Sequence, residues 1–245
     1  MAHSACSRLH IPVNKLLQNK IALVTGANGG LGRSVTQAFL DAGATAVGVS
    51  RKIQQADFNH PSFVPIASEL TSSGAAGKLV DEVMSTFGRI DVLAHLVGGF
   101  AGGKTIVETD DAMFDSMFEL NLKSAFYVLR SVIPHMRRSG TGRIIAIASR
   151  AAEDPGPGVA AYSASKAALV SLIRTAALEN KDYNITANVL LPGTIDTPAN
   201  REAMSGADRR TWVQPASIAS LIVWLAGEAG KDVNGAAIPV YGGGL

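Results

Sequence analysis

Short runs that are apolar at every position recur along the chain, separated by longer helix-compatible segments. The short runs are Ile21–Thr25 (IALVT), Ala46–Val49, Phe63–Ile66, Ile90–Val97, Arg143–Ala148 (RIIAIA), Thr186–Leu191 and Ala236–Val240. Runs that are apolar throughout predict strands of a sheet covered on both faces. The segments Gly30–Ala42, Gly74–Phe87, Asp110–Ser139 and Ala160–Asn180 predict helices, the third as two helices meeting near Asn121. Few residues separate Arg51 from Glu69, so the helix after the second strand is expected to be short or absent. Strands alternating with helices imply right-handed crossovers and a parallel sheet. The pattern predicts an α/β fold, a doubly wound parallel sheet of about seven strands with helices on both faces.

No repeat, low-complexity tract or linker divides the pattern. The 245 residues are 47% hydrophobic and 17% charged, enough apolar material for one large domain. Residues 1–17 read as a polar N-terminal extension and 18–245 as a single domain. A net charge of +2, with Lys and Arg scattered, argues against a nucleic-acid or membrane-surface partner. The single Cys6 excludes an intrachain disulfide and a multi-cysteine metal site, and no metal is expected. No apolar run reaches the roughly 18–20 residues of a bilayer span, and the N-terminus lacks the apolar core of a signal peptide. A cytoplasmic location is the expectation.

Candidate chemistry begins after the first strand, at Thr25-Gly-Ala-Asn-Gly-Gly-Leu-Gly32. A glycine loop between a strand and a helix is the context of a dinucleotide site. Gly26 permits a sharp exit from the strand. Gly30 and Gly32 let the backbone approach a pyrophosphate, and the helix N-terminus favours the anion. The second strand ends Val49-Ser50-Arg51-Lys52, with no carboxylate to bind an adenosine ribose. An arginine there suits a 2′-phosphate, so NADP(H) is expected to be preferred over NAD(H).

Tyr162 and Lys166 stand four residues apart in AYSASKAAL and so share one face of the predicted helix. Alone, the pair reads more readily as a solvated helix face than as a phenol tuned by a cation. Ser149 directly follows the strand RIIAIA, thirteen residues before Tyr162. Strand ends of this kind face the ligand crevice. A lysine beside the phenol is expected to lower its pKa from about 10 toward the working range of an acid and base.

Taken together, the glycine loop, Asn121, Ser149, Tyr162-x-x-x-Lys166 and Pro192-Gly193 with Thr197 resemble the short-chain dehydrogenase/reductase family, over about Lys20 to Leu245. The resemblance implies a single Rossmann-type domain that transfers hydride between a nicotinamide cofactor and a carbonyl or alcohol, assembled as a homotetramer or homodimer. It implies Tyr162 as the acid and base, Ser149 as the anchor of the substrate oxygen, and Lys166 as a second support that also binds the nicotinamide ribose. Asn121 would hold a water linking Lys166 to solvent. The implied cofactor contacts are Gly26, Asn28, Gly30, Leu31, Gly32, Ser50, Arg51, Glu69, Leu70, Gly98, Tyr162, Lys166, Pro192, Gly193, Ile195 and Thr197.

The sequence departs from the family at His95-Leu96-Val97-Gly98, where Asn-Asn-Ala-Gly is common. His95 reads as a satisfied core histidine or as a stand-in for one of the missing asparagines. Glu69-Leu70 replaces a usual Asp-Leu or Asp-Val. The run Gly98–Gly103 is expected at the rim of the site, with Phe100 packing on substrate or on the loop. Residues 198–213 form a short substrate lid, and the stretch from Leu191 through it is similar to dihydropteridine reductases. The last strand resembles that of oxoacyl-carrier-protein reductases. Pterin reduction is therefore one rival reading, and a non-catalytic NADP-binding redox sensor another. A complete set of Asn121, Ser149, Tyr162 and Lys166 argues against the sensor, which needs no proton donor.

Overall fold

The computed structural model describes residues 16–243. Most of the expected N-terminal extension therefore lies outside the described residues. Leu17, placed in that extension, is instead fully buried, and its N–H donates to the Ala42 carbonyl at 3.0 Å.

Seven strands form one sheet: β1 (Ile21–Thr25), β2 (Thr45–Ser50), β3 (Phe63–Ala67), β4 (Val92–His95), β5 (Gly142–Ile147), β6 (Ile185–Pro192) and β7 (Ala237–Val240). Their order is β3-β2-β1-β4-β5-β6-β7 and every neighbouring pair is parallel. β4 is shorter than the apolar run that predicted it. Ile90 is buried but precedes the ladder, and the chain leaves the ladder after His95, as the Leu96 N–H donates to Thr25.

The helices are α1 (Gly30–Asp41), α2 (Ser73–Phe87), α3 (Asp111–Phe118), α4 (Ser124–Ser139), α5 (Ala160–Asn180), α6 (Pro198–Ala203) and α7 (Pro215–Ala226). Local chemistry sets several ends. The Ser72 hydroxyl accepts from the Ala75 N–H at 3.2 Å to open α2, and Gly88, at φ +70°, closes it. Asp110 accepts from the Met113 N–H at 2.8 Å to open α3. Only a 3-10 turn, Gln55–Asp57, follows β2, as the short spacing implied.

Two apolar clusters cover the sheet. One joins α2, α4 and α5 to one face through residues such as Val83, Val128 and Ile173. The other joins α1 and α7 to the opposite face through Phe39, Leu40 and Ile222. Truncating one of these fully buried side chains to Ala costs about 2–5 kcal/mol. α7 was not anticipated from the pattern. Its sequence, PASIASLIVWLA, is apolar nearly all round and shows no polar face to mark a helical period.

Between α3 and α4 the helix does not continue regularly. Glu119–Lys123 form a π-helical turn, the junction expected near Asn121. The wider turn carries one extra residue, a feature frequent at functional sites. Asn121 is fully buried within it.

Candidate active site

The strand order reverses between β1 and β4, and ligands of such sheets bind where carboxyl ends diverge. At that point β1 runs into Gly26, whose φ of +73° suits glycine. Its N–H donates to the Val49 carbonyl at 2.7 Å, and the Gly29 N–H closes the turn onto the Gly26 carbonyl at 3.0 Å. A Cβ on Gly32 would lie 1.9 Å from the Gly26 oxygen, and one on Gly30 2.8 Å from the Thr197 side chain. Glycine alone lets α1 start this close to β1. Asn28 Nδ2 donates to the Lys52 carbonyl at 2.7 Å, tying the loop to the end of β2.

A cavity of about 780 Å³ runs along these carboxyl ends. Its wall includes Gly26, Asn28, Ser50, Arg51, Glu69, Leu70 and Gly98, seven of the residues expected to contact the cofactor. Lys52, Thr71, Leu96, Val97 and Leu120 also line it and were not among the expected contacts. Arg51 and Glu69 form an ion pair at 3.8 Å. They are brought together because β2 and β3 are adjacent and parallel, so the residues following each strand emerge side by side.

The other expected contacts do not line this cavity. Leu31 is packed in the core and Pro192 ends β6. The Gly193 N–H donates to the Val240 carbonyl at 3.0 Å, and Ile195 bridges to Val213. Thr197 abuts Gly30 and caps α6, its hydroxyl accepting from the Asn200 N–H at 3.3 Å. The last sequence motif is thereby pressed onto the first.

Of the four expected catalytic residues, Asn121 and Lys166 meet next to Gly98. A Cβ there would lie 2.9 Å from both Asn121 Oδ1 and Lys166 Nζ. Asn121 Oδ1 accepts from the Gly99 N–H at 2.9 Å, and its amide donates to the Gly99 carbonyl at 3.1 Å and to Ser165 Oγ at 3.0 Å. Ser165 in turn donates to the Tyr162 carbonyl at 2.7 Å, which links Asn121 to the helix that carries the phenol. Lys166 Nζ donates to the Ile147 carbonyl at 2.9 Å. The Ser149 hydroxyl accepts from the Ala151 N–H at 3.2 Å and lies beside the Tyr162 phenol, where it favours the ionised form.

Burial governs the proton affinities. Lys166 is 4% exposed, and desolvation of its ammonium holds its pKa down to about 8. The Tyr162 phenol is pushed up from 10 by burial, and the neighbouring Ser149 hydroxyl offsets this only in part. The direction expected from the Tyr-Lys spacing is therefore reversed. Taking the phenolate out of water outweighs any stabilisation from the lysine, whose ammonium is engaged by Ile147.

His95, at the end of β4, is a satisfied core histidine. Its Nδ1 lies 3.0 Å from Thr25 Oγ1 and its Nε2 3.4 Å from Ser124 Oγ. Burial, reinforced by the Lys166 charge, holds its pKa at about 3, so the ring is neutral.

The rim is aromatic on one side. The Phe100 ring meets the Tyr162 ring edge-on at 4.9 Å and is 67% exposed. Its loop is tied to the segment after Ser149 by the Gly103 N–H, which donates to the Gly158 carbonyl at 2.8 Å. Arg150 pairs with Asp154 at 2.8 Å and lies over the Tyr241 ring. The segment expected to form a lid begins with α6, where Arg201 donates to Asp196 at 2.8 Å and Gln214 to the same carboxylate at 3.1 Å. Among the described residues no cluster of His, Cys, Asp and Glu is placed to hold a metal, and no helix is long and apolar enough to cross a membrane.

Residues 20–208 match the short chain dehydrogenase family. The 3-oxoacyl-[acyl-carrier-protein] reductase of Thermotoga maritima is 29% identical over 242 residues, covering 93% of this chain and 98% of its own. The 7alpha-hydroxysteroid dehydrogenase of Bacteroides fragilis is 32% identical over 251 residues, covering 92% and 94%. Among solved structures, the 3-ketoacyl-(acyl-carrier-protein) reductase from Brucella melitensis complexed with NADH has a TM-score of 0.85 at 25% identity, covering 94% of this chain and all of its own. Similarity of this extent, resting on motifs that the fold gathers into one crevice, settles the relationship: the chain belongs to the short chain dehydrogenase family and is an NAD(P)-dependent oxidoreductase.

Proposed function

We propose that the protein is an NADP(H)-preferring carbonyl reductase or alcohol dehydrogenase in which Tyr162 is the acid and base. The observation that carries this reading is the Ser149 hydroxyl beside the Tyr162 phenol, with Lys166 buried one helical turn along the same helix. The chain fits a nicotinamide dinucleotide. The positions beside Gly26, Gly30 and Gly98 are so close to neighbouring atoms that side chains there would crowd the crevice. When bound, the cofactor donates hydride to, or accepts it from, the substrate carbon.

The residues of the chain then divide the remaining work. Ser149 and Tyr162 present two hydroxyls to one substrate oxygen. In reduction Ser149 donates a hydrogen bond to that oxygen and stabilises its developing charge, while the Tyr162 proton moves onto it. In oxidation the same phenol oxygen takes the proton back. Lys166, one helical turn away, supports the phenolate and holds the nicotinamide ribose. Asn121 keeps α5 and the Gly98–Gly99 backbone in register through its three hydrogen bonds.

The NADP preference is supported by the end of β2. Arg51 and Lys52 both line the cavity there, and β2 ends at Ser50 without a carboxylate. Exposed apolar side chains on α4 and α5, Phe126 and Leu178 among them, favour assembly into dimers or tetramers through these helices. The proposed location is cytoplasmic, and the catalytic domain is proposed to run from about residue 18 to 245.

The test follows the loss of reduced-nicotinamide absorbance with NADPH and NADH across ketones, β-ketoacyl thioesters and quinonoid pterin. Tyr162→Phe should lower turnover by about 10²–10⁴-fold, the usual worth of a positioned acid, with cofactor affinity unchanged. Native turnover in that variant overturns the assignment.

A further inference from the structure

We propose that His95 is a positioning residue whose ring, as the Nε2–H tautomer, bridges β1 to the start of α4 and holds the π-helical turn that carries Asn121. This rests on the reading that Asn121 belongs to the catalytic group.

The direction of each hydrogen bond around the ring follows from donor accounting. The Ser124 hydroxyl donates to the Leu120 carbonyl at 2.6 Å, a carbonyl inside the π-helical turn. A hydroxyl has one proton, so toward His95 Nε2, 3.4 Å away, Ser124 Oγ can only accept. Nε2 therefore bears the ring proton. Nδ1 is then bare and accepts from the Thr25 hydroxyl at 3.0 Å. Thr25 Oγ1 itself accepts from the Leu96 N–H at 3.3 Å. The chain of bonds runs from the end of β1, through the ring, to the turn, with the Leu96 N–H shared between Thr25 Oγ1 and the Thr25 carbonyl. The ring is 1% exposed, so no water competes for either nitrogen.

What this chain holds is the register of the turn. Asn121 sits in the wider turn that separates α3 from α4. Were that turn to relax by one residue, Asn121 would rotate by about 100° on the helix and leave Gly99 and Ser165. Leu120, whose carbonyl takes the Ser124 proton, is the residue next to it. The imidazole is the side chain that reaches both sides at once. An Asn amide can take the place of Nδ1 only, and a Gln amide that of Nε2 only.

That difference separates positioning from simple core stability. His95→Asn keeps the Thr25 bond and loses the Ser124 arm, so kcat should fall by about tenfold or more, the worth of one hydrogen bond, with cofactor Kd little changed. His95→Gln keeps the Ser124 arm and should restore most of kcat. Ser124→Ala should lower kcat as His95→Asn does, and the two losses should not add in the double variant. Equal kcat in the Asn and Gln variants, with only melting temperature lowered, overturns the proposal. On the native protein, ¹⁵N NMR should show His95 as the Nε2–H tautomer without titration between about pH 5 and 9. An Nδ1–H tautomer overturns it without any variant needing to fold. Asn121→Ala separates the two levels. Unchanged kcat there removes the reading of Asn121 itself. A loss there, with native kcat in His95→Asn, removes only the role of His95.

Discussion

Replacing Lys166 with Met should remove turnover and make the fold more stable. The ammonium is almost fully buried and has one hydrogen bond, to the Ile147 carbonyl. Its pKa is about 8 in the folded protein against an ordinary 10.5. At about 1.4 kcal/mol per tenfold change in proton affinity, that difference costs the fold about 3 kcal/mol at neutral pH. Methionine has similar length and no charge to desolvate. Leaving the Ile147 carbonyl unpartnered returns about 1 kcal/mol, so the net gain is about 2 kcal/mol, or about 4–8 °C in Tm for a chain of this size.

The pH dependence has a definite sign. Below about pH 8 the lysine is charged in both the folded and the unfolded chain, and its full cost is present. Between 8 and 10.5 the folded protein releases the proton first, so the native protein gains stability as pH rises. Above 10.5 the lysine is neutral in both states and the cost is gone. Urea unfolding of native and Lys166→Met protein across pH 7–11 should therefore show a gap that is constant at the acid end and closes with rising pH. Taking the difference between the two proteins cancels the titrating groups remote from Lys166. A Met variant less stable than native at pH 7, or a gap that does not change with pH, refutes the reasoning.

Gly98→Ala should lower both stability and kcat/KM, because the new methyl lies 2.9 Å from Asn121 Oδ1, which three hydrogen bonds of the same amide hold in place. Overpacking of this kind costs about 1–3 kcal/mol, and native behaviour in both denaturation and kinetics would contradict the geometry. Arg51→Asp should shift the cofactor preference toward NADH. Glu69→Gln frees the Arg51 guanidinium and should tighten NADPH alone by up to about fivefold, since exposed ion pairs are worth about 0.2–1 kcal/mol. Fluorescence titration of both cofactors tests the pair, and equal effects on NADH would refute it. Phe100→Ala should raise KM about two- to tenfold for ketones bearing flat apolar groups and leave small ketones unaffected, because the exposed ring borders the Tyr162 phenol. A uniform change across that series would show that Phe100 only covers its loop.

Much of the fold was legible because its signals are local. A strand buried on both faces must be apolar at every position, so all seven strands could be seen in the sequence, with ends displaced by a residue or two. The junction at Asn121 could be read from a polar residue in the middle of a long helical segment. α7 could not, because a helix without a polar face carries no period to detect. Arg51 and Glu69, eighteen residues apart, meet only because β2 and β3 lie side by side, and no local pattern announces that pairing.

The site divides in the same way. The identities of Ser149, Tyr162, Lys166 and the glycines, their order and the class of chemistry are determined by the sequence alone. Their spacing on strand ends and on one helix face is a property of neighbouring residues. The proton affinities belong to the tertiary structure. The four-residue spacing from Tyr162 to Lys166 suggested a phenol made more acidic, yet the folded site makes it less so. Desolvation depends on everything packed around a group, from the sheet below to the rim above, and that sum exists only once the chain has folded. The tautomer of His95 is decided in the same way, by Thr25 and Ser124, which lie seventy residues before it and twenty-nine after it.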